Sequence, residues 1–256
     1  MREANPPHAR RASDIHVDIA RKAIFERNGT FATPEQVWTS LRHKNSSRKI
    51  HDFLFVCTHN AYHVGSYWAN IPNLSHLGVC QSCDTTDSLD HILCECSSPG
   101  QSLVWRLARD LLSSKIADVP QATLGNIIGT HLLRIWAKPG FSDKGAERLS
   151  HIVFGESAQL IWAMRCRRVI DELYDYSDNE IAATGRVRIT RRLLLDQAMS
   201  HPKYRPVALK RATVLATWSS ILVNERLLPN DWIRYNGSLV SIRFPELRQP
   251  RRRPQR

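Results

Sequence analysis

Apolar residues recur along much of this chain at intervals of three and four, the spacing that lays one apolar stripe along an α-helix. Between Asp14 and Arg27 the stripe is Ile15, Ile19, Ala20, Ala23 and Ile24, and Asn28-Gly29 supplies a stop. Thr33-Pro34-Glu35-Gln36 opens a second helix. Thr33 is placed to cap, proline suits the first helical position, and Gln36 closes a capping box ahead of Val37, Trp38 and Leu41. From Ser47 to Thr58, Ile50, Phe53, Leu54 and Cys57 share a face. After the break at Ser97-Ser98-Pro99-Gly100, the same periodicity returns in Leu103, Val104, Leu107, Leu111 and Leu112. The longest periodic stretch runs from about Ala146 to Tyr174, with Leu149, Ile152, Val153, Leu160, Ile161, Met164, Ile170 and Leu173 inward and Arg165, Arg168 and Glu172 on another face. Two more helices are expected near 187–199 and 207–224. Strand-like alternation is weak and no internal repeat is visible. The expected fold is mainly α, an irregular multi-helix domain with a small loop-helix module.

Between the helices lie segments with no clear period. Residues 59–79, rich in His, Asn, Tyr and Pro, read as an irregular arm, and residues 116–145 are broken by Pro120, Gly125, Gly129, Pro139 and Gly140. Residues 1–12 and 248–256 are basic, proline-containing and poor in apolar residues, and are expected to be disordered. This divides the chain into a helical region at 13–115, carrying the module at 80–96, and a helical C-terminal region at 116–247.

Apolar residues make up 42% of the 256, enough for a core. No run is long enough to span a bilayer, and the N-terminus lacks the apolar stretch of a secretory signal, so an intracellular location without a membrane partner is expected. The net charge of +12, mostly arginine, favours a polyanion, RNA or DNA foremost. The bland alternative is a basic surface with no specific ligand.

Four of the six cysteines fall between Cys80 and Cys96, with His91 among them. In a chain without a secretory signal, such a cluster points to a metal rather than to disulfides. The pattern C-x2-C-x7-H-x4-C, from Cys80, Cys83, His91 and Cys96, offers thiolates and an imidazole, a set that suits Zn²⁺ and leaves no open position. The fourth ligand is open at this point. With Asp87 as helix cap and an unbroken helix behind it, His91 and Cys94 share a face, whereas the Ser-Ser-Pro-Gly break after Cys96 lets that residue swing back.

These residues, with the segments around 14–29, 47–72, 80–105, 156–170 and 228–233, resemble the zinc-binding region near the C-terminus of reverse-transcriptase polyproteins of non-LTR retrotransposons, fungal ones especially, where it follows a ribonuclease H domain. The resemblance implies Cys80, Cys83, His91 and Cys96 as ligands, with Cys94 as an apolar core position. It also implies a nucleic-acid partner and a reverse transcriptase or ribonuclease H domain acting in cis or trans. The paired-aspartate motif of the polymerase is missing, and the acids Asp171, Glu172, Asp175 and Asp178 read as partners of Arg167 and Arg168 rather than Mg²⁺ ligands. The chain is therefore expected to be a non-catalytic accessory region or remnant. The alternative is a structural or protein-interaction module in which zinc only stabilises the fold.

Candidate nucleic-acid contacts are Arg165, Arg168, Arg188, Arg191 and Arg192, whose planar forks suit phosphate, with Tyr67 and Trp68 to stack on bases or to pack over the zinc site. His59 with His63, and His76, are weaker metal-ligand candidates. The arginine tail reads as an RNA tether, a nuclear import signal or an inert end.

Overall fold

The computed structural model describes residues 8–69, 71–169, 176–229, 231–233, 240–245 and 247, with side chains from residue 12 onward. Its α-helices are α1 (His8–Asn28), α2 (Pro34–Ser40), α3 (Arg48–Thr58), α4 (Ser66–Ala69), α5 (Gln101–Ser113), α6 (Leu124–Ile128), α7 (Lys144–Val169), α8 (Asp178–Met199) and α9 (Arg211–Trp218). Two short hairpins are the only sheets among the described residues: β1 (Val79–Cys80) with β2 (Thr85–Thr86), and β3 (Trp136–Lys138) with β4 (Phe141–Ser142). The mainly α reading holds.

Local chemistry sets most helix ends. Helix α1 begins at His8, six residues ahead of the first position its apolar stripe suggests and inside the lead-in expected to be disordered. It stops where Gly29 takes φ +73, a conformation glycine adopts at no steric cost. Thr33 and Gln36 form the expected reciprocal capping box. Ser177 and Glu180 form a second one, which starts α8 nine residues before the expected 187. Asp143 Oδ1 accepts the N–H groups of Gly145 and Ala146, both at 2.9 Å, and so starts α7.

The centre of the molecule is α7. Ala146, Leu149, Ile152, Val153, Phe154, Ala158, Leu160, Ile161 and Met164 are buried, but so are Glu147, Arg148, Ser150, His151, Ser157, Gln159 and Arg165. A helix with one solvated face was expected; α3, α5, α8 and α9 enclose this one instead. One apolar cluster runs from Val17 on α1 to Ile242 near the C-terminus, crossing residue 115 without interruption. Residues 221–223 and 241–243 add a short antiparallel bridge, with Val223 N–H to the Ser241 carbonyl at 2.9 Å and Arg243 N–H to the Ile221 carbonyl at 2.8 Å.

Arg148 anchors the C-terminal helices to α7. Its guanidinium forms a bidentate pair with Asp196 of α8, one bond measuring 2.8 Å, and donates to Thr217 Oγ1 of α9 at 3.0 Å. Trp218 Nε1 donates to the same carboxylate at 2.8 Å. Both ends of the pair are buried, at 4% and 2% exposure. Removing one partner strands a charge in the core, so Asp196→Ala is expected to cost about 3–5 kcal/mol in urea unfolding. A loss below about 1 kcal/mol would show that water reaches this pair.

Candidate metal centre

A hairpin delivers the first two thiols. Strand β1 pairs with β2 in the register Val79–Thr86 and Cys80–Thr85. Between them the N–H groups of Cys83 and Asp84 both donate to the Cys80 carbonyl, at 3.3 and 2.8 Å. Asp84 closes the turn at φ +52, a left-handed conformation that aspartate tolerates. The hairpin is held against the preceding arm at Gly65, where φ is +55 and a Cβ would lie 2.1 Å from the Asp87 carbonyl oxygen. No other residue fits that contact.

The other two ligands come from a helical turn of unusual width. Helical structure starts at Leu89, and Ser88 Oγ caps it by accepting the His91 N–H at 3.0 Å. The cap is thus Ser88, not Asp87 as expected. From His91 to Glu95 the turn closes five residues back, with the Cys96 N–H on the His91 carbonyl at 2.7 Å. In α geometry five residues rotate about 500°, which would leave Cys96 about 140° from His91. The wider turn carries Cys96 round beneath the histidine, and the chain then leaves in an extended conformation, φ −60 and ψ 130. Cys94 stays outside the cluster. It packs half-buried against the core, where burial raises its thiol well above the ordinary range.

The donor atoms of Cys80, Cys83, His91 and Cys96 all lie within 4.8 Å of one another. Cys96 Sγ is 3.6 Å from Cys80 Sγ and 3.9 Å from Cys83 Sγ. A tetrahedral Zn²⁺ with bonds of about 2.3 Å to sulfur needs about 3.8 Å between sulfurs. His91 Nε2 is buried without a hydrogen-bond partner, as a nitrogen reserved for a metal ion would be. The donor set therefore fits zinc. With four protein ligands it would hold the ion closed, as a cross-link between hairpin and helical turn rather than an activator of water.

The serines after the turn bond two of the sulfurs. Ser97 N–H donates to Cys83 Sγ at 3.3 Å and Ser98 N–H to Cys96 Sγ at 3.4 Å. The Ser97 hydroxyl, 3.0 Å from Cys83, and then its N–H draw that thiol down to about 7. Burial pushes Cys96 up to about 11 against the opposing pull of Ser98. Behind His91, Asp87 offers Oδ1 at 3.9 Å from Nε2, while its Oδ2 takes a 3.0 Å bond from Arg165.

No family model matches this chain, and no curated protein or solved structure is significantly similar to it.

The nucleic-acid candidates scatter on inspection. Arg165 is 4% exposed, paired with Asp87, and 5.7 Å from the Trp162 ring, so it does not reach the surface where a phosphate would meet it. Its role is to dock the metal loop on α7. Arg188 bonds Gln159 and is half-buried, which lowers its guanidinium from its usual range. Arg192 donates to the Asn45 carbonyl at 2.8 Å and faces Asp196. Arg168 lines a cleft beside Cys80 and Cys96 together with Arg165. Arg191 is exposed on α8. Tyr67 is exposed and stacks on His63 with centroids 3.9 Å apart and planes within 3°. Trp68 is half-buried, with its Nε1 on the His63 carbonyl at 2.8 Å and its Cβ near Gly78. Tyr62 packs on Trp162 of α7 at 3.9 Å.

Among the weaker metal candidates, His59 bonds Ser13 Oγ at 3.0 Å and stacks near Trp38, and His76 is outside the cluster. Among the described residues the Cys80, Cys83, His91 and Cys96 group is the only one close enough to share an ion. The acids at 171, 172 and 175, and the tail at 248–256, lie outside the described residues.

Purified protein is expected to hold about one Zn²⁺ per chain, lost on Cys80→Ser or Cys83→Ser. Competition with a chromophoric chelator should show Cys96→Ser weakening zinc far more than Cys94→Ser. The reverse order would mean that the turn after His91 closes as an ordinary α-helix.

Proposed function

We propose that the chain is a zinc-stabilised nucleic-acid-binding module without a catalytic centre of its own. The observation that carries this reading is the exposed His63–Tyr67 stack. It sits on the arm that Gly65 presses against the zinc hairpin, in a chain of net charge +12. An exposed aromatic face beside a rigid, metal-pinned turn suits an unpaired base, and excess arginine suits the backbone that carries it. Zinc would act indirectly, by holding the hairpin on which the arm rests. The resemblance to the zinc-binding region of retrotransposon reverse-transcriptase polyproteins agrees with this reading. It adds a reverse transcriptase or ribonuclease H domain as a partner in cis or trans.

A second reading has its own observation. On α8, Val187 and Leu194 are each 46% exposed and flanked by the exposed Arg186 and Arg191. A mixed apolar and cationic face of this kind also suits an acidic protein partner, with zinc then serving the fold alone.

Fluorescence anisotropy with single-stranded RNA, over a range of salt, separates the two. Protein truncated after residue 247 should still bind near physiological salt, with affinity falling by about 0.7 log units per log unit of salt for each phosphate neutralised. Tyr67→Ala should cost about 1–3 kcal/mol of binding, and chelation should weaken it further. Binding that vanishes with the tail, or ignores both zinc and Tyr67, would favour the protein-partner reading. The full chain should show no metal-dependent nuclease or polymerase activity; such activity would overturn the non-catalytic assignment.

A further inference from the structure

Three histidines from distant parts of the chain meet away from the cysteines. His43 follows α2, His131 lies in the short turn after α6, and His151 is on α7. Their ring centroids are 5.1 Å apart from His43 to His131, 5.1 Å from His131 to His151 and 6.0 Å from His43 to His151. They line a cavity of about 470 Å³, within the range of about 300–1,000 Å³ usual for small-molecule sites.

The polar atoms here are unspent. His131 and His151 are 8% and 6% exposed. His131 Nδ1 and both ring nitrogens of His151 are buried with no hydrogen-bond partner. The Leu133 carbonyl faces His151 without making a bond of normal geometry. Buried polar groups are nearly always satisfied, so several orphans lining one cavity call for a ligand. Hydrogen bonding also says which atoms can donate. Ser46 Oγ meets His131 Nε2 at 2.6 Å; with serine donating, the ring proton sits on the orphaned Nδ1. Asn45 N–H donates to His43 Nδ1 at 3.3 Å, which leaves the proton of His43 on Nε2. Burial holds His131 and His151 below the usual imidazole range, His151 at about 3, so each ring is neutral with one N–H to give.

The charge at the mouth selects the ligand. Lys44, Arg134 and Lys144 line the same cavity and reach solvent. Glu147 is the one acid in the lining; Lys144 pairs with it at 2.9 Å and Arg134 lies 3.8 Å from its Oε1, which makes no hydrogen bond. The charge of Arg148 is answered by Asp196. Three cations against one acid disfavour a metal ion, and the ring nitrogens do not converge as metal ligands would.

We propose that the cavity of His43, His131 and His151 binds a phosphate group, free or at the end of a nucleotide or nucleic-acid chain. The imidazole rings line its inner wall, where a small rotation would offer their N–H groups, and Lys44, Arg134 and Lys144 form its cationic rim. The proposal stands independently of the nucleic-acid reading above.

The test is isothermal titration of the full zinc-loaded chain with inorganic phosphate, at ionic strength held constant with chloride. One saturable equivalent is expected. The double substitution of the exposed rim, Lys44→Ala with Arg134→Ala, should weaken it at least tenfold, and so should His151→Ala, with circular dichroism checking that each variant folds. Should His151→Ala fail to fold, the rim variant decides. No saturable binding, or unchanged binding in the rim variant, overturns the proposal. So does a second equivalent of Zn²⁺ that His151→Ala abolishes, which would make the cavity a metal site. Competition by 5′-phosphorylated but not 5′-hydroxyl oligonucleotide would identify a nucleic-acid end as the source; competition by neither would identify a small phosphate compound.

Discussion

Two buried arginines on one helix hold this molecule together. On α7, Arg148 faces Asp196 of α8 near one end, and Arg165 faces Asp87 of the metal loop near the other. Each pair has lost nearly all contact with water, and attraction between buried charges offsets their desolvation only when the geometry is good and the remaining donors are used. Arg148 meets that condition, with Asn45, Thr217 and the bidentate carboxylate around it. Arg165 meets it less fully, because its Nε has no partner. The first pair fixes where α8 and α9 dock. The second makes the metal loop part of the helical body rather than an appendage.

That coupling gives the candidate centre its character. Asp87 stands between Arg165 and His91, so the carboxylate that ties the loop to α7 also faces the imidazole of the metal cluster. Loss of the metal would be felt along the hairpin, at Gly65 where the aromatic arm rests on it, and through Asp87 at α7. With four protein donors and two serine N–H groups bonded to sulfur, an ion bound here would be held closed.

Features that depend on neighbouring residues were legible in the sequence. Thr33 and Gln36, the buried face of Ile50, Phe53, Leu54 and Cys57, and the Cys80–Cys83 pair all follow from spacing alone. The capping box of Ser177 and Glu180 was equally written there, but a polar run ahead of it obscured the start of α8. Two features could not be read. Arg165 sits among residues that look solvated, and only the enclosure of α7 by helices far along the chain turns it inward. The wide turn at His91 is the other. Periodicity assumes 3.6 residues per turn, which put Cys94 rather than Cys96 beside the histidine. The resemblance favoured Cys96, and the five-residue closure is the physical reason it can reach.

The claim that these pieces share is a centre of three sulfurs and one imidazole closed by Cys96. X-ray absorption at the zinc edge of the loaded full chain tests it directly. Three sulfur scatterers at about 2.3 Å and one nitrogen at about 2.0 Å are expected, unchanged when Cys94 is replaced by Ser. Four sulfurs, two sulfurs with two nitrogens, or a first shell that changes with Cys94 would contradict it.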